Sequence, residues 1–360
     1  MNSALLVLIA VSTLTAAQFE WTLPKGFPRP AIPADNPMSA AKVELGRYLF
    51  YDKRISVNGK ESCASCHKQE LAFTDGRSRA EGTTGELHPR SAMSLVNVAY
   101  APNLTWAHSS LNSLEEQALT PMLGEVPIEL GLKGRETEFL STVRQTPVYK
   151  HLFPEAFPGE AEPYTLKNIT RAIAAFERSI VSVRSAYDRY RYGGDMSAIS
   201  PAAKRGELVF ESSERGGCFQ CHGGWNFSGT VRFESSSAST PQRMGMSASP
   251  FFNTGVSAYA APNRGLFEQT RKPQDMGRFK VPTLRNIAVT APYMHDGSMK
   301  TLEEVIDHYA AGGKYKSANK SEIIHTRSIS QQDRADLIEF LKTLNDEELL
   351  RDPRWSNPWR

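Results

Sequence analysis

Apolar residues recur at helical spacing in four stretches of the chain. From Ser39 to Phe50 the apolar positions Ala40, Val43 and Tyr48–Phe50 give an amphipathic helix. Leu166 to Tyr190 carries Ile169, Ile173, Phe176, Ile180 and Val183 at the same period, which predicts one helix long enough to tie two halves of the chain together. Leu302, Val305, Ile306 and Tyr309 share a face of a third helix that Gly312-Gly313 stops. The last helix starts at an N-cap Ser330, with Asp333 placed to complete the cap, and runs through Leu337, Ile338, Leu341 and Leu344. Strand-like alternation is scarce. Ser235–Thr240 is a Ser-rich loop and Asn263–Met276 is polar; both are expected to lie over the C-terminal half. The pattern predicts an all-α fold.

The halves resemble each other. Gly46-Arg-Tyr-Leu-Phe50 is answered by Gly206-Glu-Leu-Val-Phe210. Ser94-Leu-Val-Asn-Val-Ala99 is answered by Thr283-Leu-Arg-Asn-Ile-Ala288, and Ser113-Leu-Glu-Glu116 by Thr301-Leu-Glu-Glu304. The order is the same in both, so a duplicated unit is expected. The expected boundaries are 37–183 and 184–350.

Composition narrows the class. With 360 residues, 40% of them hydrophobic, the chain can bury large cores, and a net charge of only +3 gives no footprint for nucleic acid. The N-terminus has an apolar run, Leu5 to Val11, that ends in Thr15-Ala-Ala17. This resembles a signal peptide over 1–17, although it has no Lys or Arg before the run. No stretch reaches the ~20 apolar residues needed to span a bilayer. An exported, periplasmic protein is expected.

All four cysteines lie in two C-x-x-C pairs, and each pair is followed at once by histidine: Cys63-Ala-Ser-Cys66-His67 and Cys218-Phe-Gln-Cys221-His222. Two thiols at this spacing can add across the two vinyl groups of one haem, and the adjacent imidazole can ligate its iron. A shared zinc site would need the distant pairs to converge, and each has its own histidine. A thioredoxin-like redox pair would need a βαβ context that is missing. Two covalently bound haems c are the expectation.

With these motifs, the runs Leu114-Glu-Glu-Gln-Ala118, Pro127-Ile-Glu-Leu-Gly131, Val281-Pro-Thr-Leu-Arg-Asn286 and Ala291-Pro-Tyr-Met-His-Asp-Gly297 resemble the bacterial di-haem cytochrome c peroxidases and their MauG-type relatives. The run Tyr293 to Gly313 is most similar to the methanobactin-associated MbnH enzymes. The resemblance implies two cytochrome c-like domains. The N-terminal haem would react with peroxide and the C-terminal haem would transfer electrons, with a tryptophan and a calcium ion between them.

Carried onto this chain, the resemblance assigns Glu129 as the distal acid–base group and Gln117 as its ligand-bonding partner. Glu125 remains a rival, because the spacing is longer than in the peroxidase pattern. Trp106 matches the tryptophan between the haems. Asn97, with the carbonyls of Thr290 and Pro292, would hold the calcium. His88 lies in the loop where peroxidases place a removable iron cap, but further from the haem motif, and is read as a non-ligand. His295 would bond a propionate or backbone. Counting from Thr290, the second axial ligand of the C-terminal haem falls on Tyr309, where peroxidases have methionine and MauG-type enzymes tyrosine. Met294 and Met299 stay open as alternatives. A phenolate favours the higher oxidation states of iron.

The resemblance therefore implies an enzyme that uses hydrogen peroxide to form a bis-Fe(IV)-like state. That state would oxidise an aromatic residue of a partner, tryptophan to kynurenine on a copper-binding protein; position alone, just after the second haem motif, suggests Trp225 as an exit residue. A cytochrome c peroxidase fed by a cytochrome or cupredoxin is the alternative. A plain electron carrier would need neither Glu129 nor Gln117.

Overall fold

Ser39 caps the first helix, its hydroxyl oxygen accepting the Lys42 N–H at 3.2 Å. In the computed structural model, which describes residues 19–234, 242–243, 250–259 and 262–359, the N-terminal half holds α1 (Ala40–Tyr51), α2 (Cys63–Cys66), α3 (Leu114–Leu123), α4 (Glu136–Gln145), α5 (Tyr149–Ala156) and α6 (Leu166–Ser179). The C-terminal half holds α7 (Ala186–Arg191), α8 (Pro201–Glu211), α9 (Phe219–His222), α10 (Phe267–Thr270), α11 (Leu302–Ala310) and α12 (Gln331–Lys342). The expected signal peptide and the segment Ser235–Thr240 lie outside the described residues.

The fold is mainly helical, but the all-α expectation is too simple. Among the described residues, long irregular segments join the helices. Two small antiparallel sheets also form: β1 (Thr230–Val231) with β2 (Gln242–Arg243), and β3 (Phe251–Phe252) with β4 (Phe279–Lys280).

The two halves repeat one packing scheme. α1 lies on α6, and α8 lies on α12. At each crossing a glycine allows backbone contact: a Cβ on Gly46 would stand 1.9 Å from the Ala172 carbonyl oxygen, and one on Gly206 1.9 Å from that of Asp336. One turn further on, Phe50 meets Phe176 at 5.0 Å between ring centroids, and Phe210 meets Phe340 at 5.2 Å. Asn97 and Asn286 both take left-handed backbone (φ 57° and 61°).

The predicted Leu166–Tyr190 helix is broken in two. α6 ends at Ser179, Ile180 to Arg184 run outside any helix, and Ser185 opens α7 with a capping box to Asp188. The break has a physical cause. Ser182 gives its N–H to Asn97 Oδ1 (2.8 Å), and its carbonyl accepts from Asn97 Nδ2 (3.0 Å). Asn286 Nδ2 donates to the Ser182 hydroxyl (3.1 Å). The equivalent asparagines of the two halves thus clamp the segment between them. Beneath it, buried Arg285 makes a bidentate pair with Asp188 at 2.7 and 2.9 Å and donates to the Trp225 carbonyl.

Both chain ends cross to the opposite half. Trp21, Leu23 and Phe27 pack with Trp225 and Val231, while Leu349 and Trp355 join the N-terminal core. The Trp355 indole N–H donates to Ser179 Oγ at 3.1 Å. The polar stretch Asn263–Met276 bonds the C-terminal half through Asn253, Arg278 and Asn319 and also reaches the other half. Arg90 Nε donates to Asn263 Oδ1, and Gln269 bonds Ser109 and Ser110.

Candidate functional site

Each Cys-x-x-Cys-His motif forms a single helical turn at the wall of a cavity. Cys63 and Cys66 line the first cavity, and Cys218 and Cys221 the second. His67 Nδ1 donates to the carbonyl oxygen of Phe73 at 2.8 Å. His222 Nδ1 lies 3.1 Å from the carbonyl oxygens of both Phe227 and Pro282. A carbonyl only accepts, so in each ring Nδ1 carries the hydrogen and the Nε2 lone pair is left to bind a metal. Phe73 and Phe227 both present this carbonyl from left-handed backbone, φ 60° and 50°. Burial keeps both imidazoles neutral, His222 being pushed down to about 4. Paired thiols beside a neutral imidazole with its outer nitrogen free fit a covalently bound haem in each half. No cluster of His, Cys, Asp and Glu suited to a bare metal ion occurs among the described residues, which removes the shared zinc site.

Over Cys63, Cys66 and His67, the first cavity is closed by Gln117, Glu129, His88 and Glu177. Gln117 is placed by α3, which is tied to α6 where the Arg178 guanidinium grips both oxygens of Glu115 at 2.7 Å. Burial would raise the Glu115 carboxyl, but this grip holds it down at about 2. Burial pushes Glu129 up to about 7, so it can hold or release a proton near neutrality. Its rival Glu125 is removed: that side chain is exposed and paired with Lys133. His88 does reach this cavity, with Nδ1 accepting the Arg90 N–H at 3.1 Å.

The second cavity is larger and runs from Cys218, Cys221 and His222 to Trp106, Tyr309 and Met294. Tyr309 lines the same cavity as Cys218, Cys221 and His222, and burial raises its phenol. Of the alternatives, Met299 packs in the C-terminal core, whereas Met294 lines the cavity. Trp106 donates its indole N–H to the Ser91 carbonyl (2.9 Å) and lines the same cavity.

Asn97 Oδ1 accepts from the Ser182 N–H, and Nδ2 donates to the Ser182 carbonyl and to Asn226 Oδ1, so one lone pair of Oδ1 is left for a cation. Thr290 and Pro292 do line the second cavity. Trp225 is no surface exit: it is 9% exposed, covered by Tyr100 and Phe27, with the Arg285 guanidinium 5.6 Å from its ring. The His295 ring stacks on Phe279 at 3.6 Å, and its buried Nε2 has no protein partner among the described residues, which leaves it open to a propionate.

Glu177 and Lys280 escaped the sequence reading. Glu177 is fully buried in α6, its Oε2 has no hydrogen-bond partner among the described residues, and burial pushes it up to about 8. Its signal was an acid inside the apolar word Ala-Ala-Phe-Glu. For Lys280 it was a cation between Phe279 and Val281.

Comparison with known proteins agrees with this geometry. The profile of the di-haem cytochrome c peroxidases matches residues 40–196. Cytochrome-c peroxidase IdrP1 of Pseudomonas sp. (strain SCT) is 34% identical, with 97% of this chain and 93% of that protein aligned. Methylamine utilization protein MauG of Methylorubrum extorquens is 33% identical, with 93% and 86% aligned. A crystal structure of a MauG-like protein associated with microbial copper homeostasis superposes with a TM-score of 0.89 at 43% identity, covering 95% of this chain and all of that one.

Proposed function

The chain belongs to the di-haem cytochrome c peroxidase family that includes MauG, and from this premise we propose that it oxidises a partner protein at the expense of hydrogen peroxide. The proposed product is kynurenine, formed from a tryptophan of a copper-binding partner in the periplasm. Tyr309 carries this reading, since a phenol in the cavity of the second haem turn suits a site that stores oxidising equivalents rather than one that accepts electrons from a donor. The tie of a 43% identical structure to copper homeostasis supports the choice of partner.

The haems c, held by Cys63, Cys66 and His67 and by Cys218, Cys221 and His222, would supply the redox chemistry. The rest falls to side chains. Gln117 orients peroxide by hydrogen bonding over His67. Glu129 accepts the proton of the inner peroxide oxygen and returns it to the outer one, which leaves as water. Trp106, along the wall of the second cavity, passes electrons between the two sites.

Met294 lines the second cavity and favours a second reading, a peroxidase fed by a small electron-donor protein. Low-temperature EPR of the holoprotein separates the two. The proposal expects one high-spin haem and one low-spin His/Tyr haem, with the second signal lost in Tyr309→Met. It also expects kynurenine by mass spectrometry when peroxide is added with a purified copper-binding partner. A His/Met signal that Tyr309→Met leaves unchanged, with turnover on reduced cytochrome c, assigns the protein to the peroxidases instead.

A further inference from the structure

Lys280 is a cation enclosed without an anion. It lies on β4 between Phe279 and Val281, and its side chain lines the second cavity. Nζ donates to the Asn103 carbonyl at 3.1 Å, which uses one of its three hydrogens. No carboxylate among the described residues pairs with it, and the stretches outside them contain no Asp or Glu. Burial alone pushes the ammonium down to about 8. An isolated buried charge is costly, and proteins keep one where a bound group completes the pair. The part of Lys280 still open faces the cavity that fits a haem, and haem brings two propionate carboxylates.

We propose that Lys280 is the counter-ion of a haem propionate and sets that carboxylate beside Trp106. The Lys280 N–H donates to the Trp106 carbonyl at 2.8 Å, and Nζ reaches Asn103 three residues earlier. One residue thus fixes the tryptophan loop at two points and presents the remaining N–H groups to the cavity. The proposal rests on haem filling that cavity. A lysine ammonium beside a propionate favours the reduced, less positive iron, so it raises that haem's reduction potential.

Potentiometric titration of the holoprotein, followed by haem absorbance, tests this. Lys280→Met should move one of the two reduction waves to lower potential and leave the other in place. Lys280→Arg should restore most of the shift, because it keeps the charge. Two unmoved waves in Lys280→Met overturn the proposal. So does a shift that Lys280→Arg fails to restore, which would make the lysine a packing element only. A pyridine haemochrome assay on the wild type separates this from the parent reading: fewer than two haems per chain removes the haem assignment itself.

Discussion

Glu129 and Glu177 face the same cavity from loop and helix, and burial raises both carboxyls, to about 7 and about 8. Glu129 lines this cavity together with Gln117 and the histidine turn, and the proposed mechanism makes it the proton carrier. As a base it works deprotonated, so the rate constant for reaction with peroxide should rise with pH through about 7 and level off above. Glu129→Gln should lower the rate by about 100-fold or more and flatten this profile. Stopped-flow mixing with peroxide between pH 5.5 and 8.5, as about the usable range, measures both.

Glu177 has a different signature. Its folded-state value, about 8, lies above the ordinary 4.5, so its contribution to stability is complete below 4.5 and is lost as pH rises through about 8. Glu177→Gln keeps the shape and cannot ionise. The variant should therefore gain on the wild type as pH rises, by on the order of 3 kcal/mol at alkaline pH. Denaturant unfolding of both holoproteins at acid and alkaline pH reads the difference; a constant offset would show that Glu177 never ionises.

Gly46 and Gly206 make the duplication testable. A methyl group on either would overlap a carbonyl oxygen of the facing helix, so Gly46→Ala and Gly206→Ala should each destabilise the protein by roughly 3 kcal/mol. Unfolding midpoints of the two variants would then fall together. A large effect in one half only would mean that the second crossing can yield.

Trp225→Phe should leave partner oxidation within about twofold of wild type, because a guanidinium 5.6 Å from the indole opposes a positive hole there. Product formation after peroxide addition is the readout.

Much of this was legible in the chain. The haem turns follow from adjacency of thiols and imidazole, which is local, and both turns engage Nδ1 and leave the His Nε2 free. The cap of α12 was legible because an N-cap is satisfied within one turn. What failed depended on distant partners. The apolar period through Ile180 and Val183 continued past a helix that ends because Asn97, far earlier in the chain, takes the Ser182 backbone. Trp225 looked like an exit because it follows the second haem turn. Its cover comes from Phe27 in the N-terminal segment, which no local pattern announces.

Ser182 has one more implication. Asn97 binds its backbone from one half and Asn286 its hydroxyl from the other, within a segment too short and too crowded to act as a hinge. Electron tunnelling weakens steeply as separation grows. A spacer tied from both sides should hold the separation of the two Cys-x-x-Cys-His turns steady, and with it the transit time between redox centres held there.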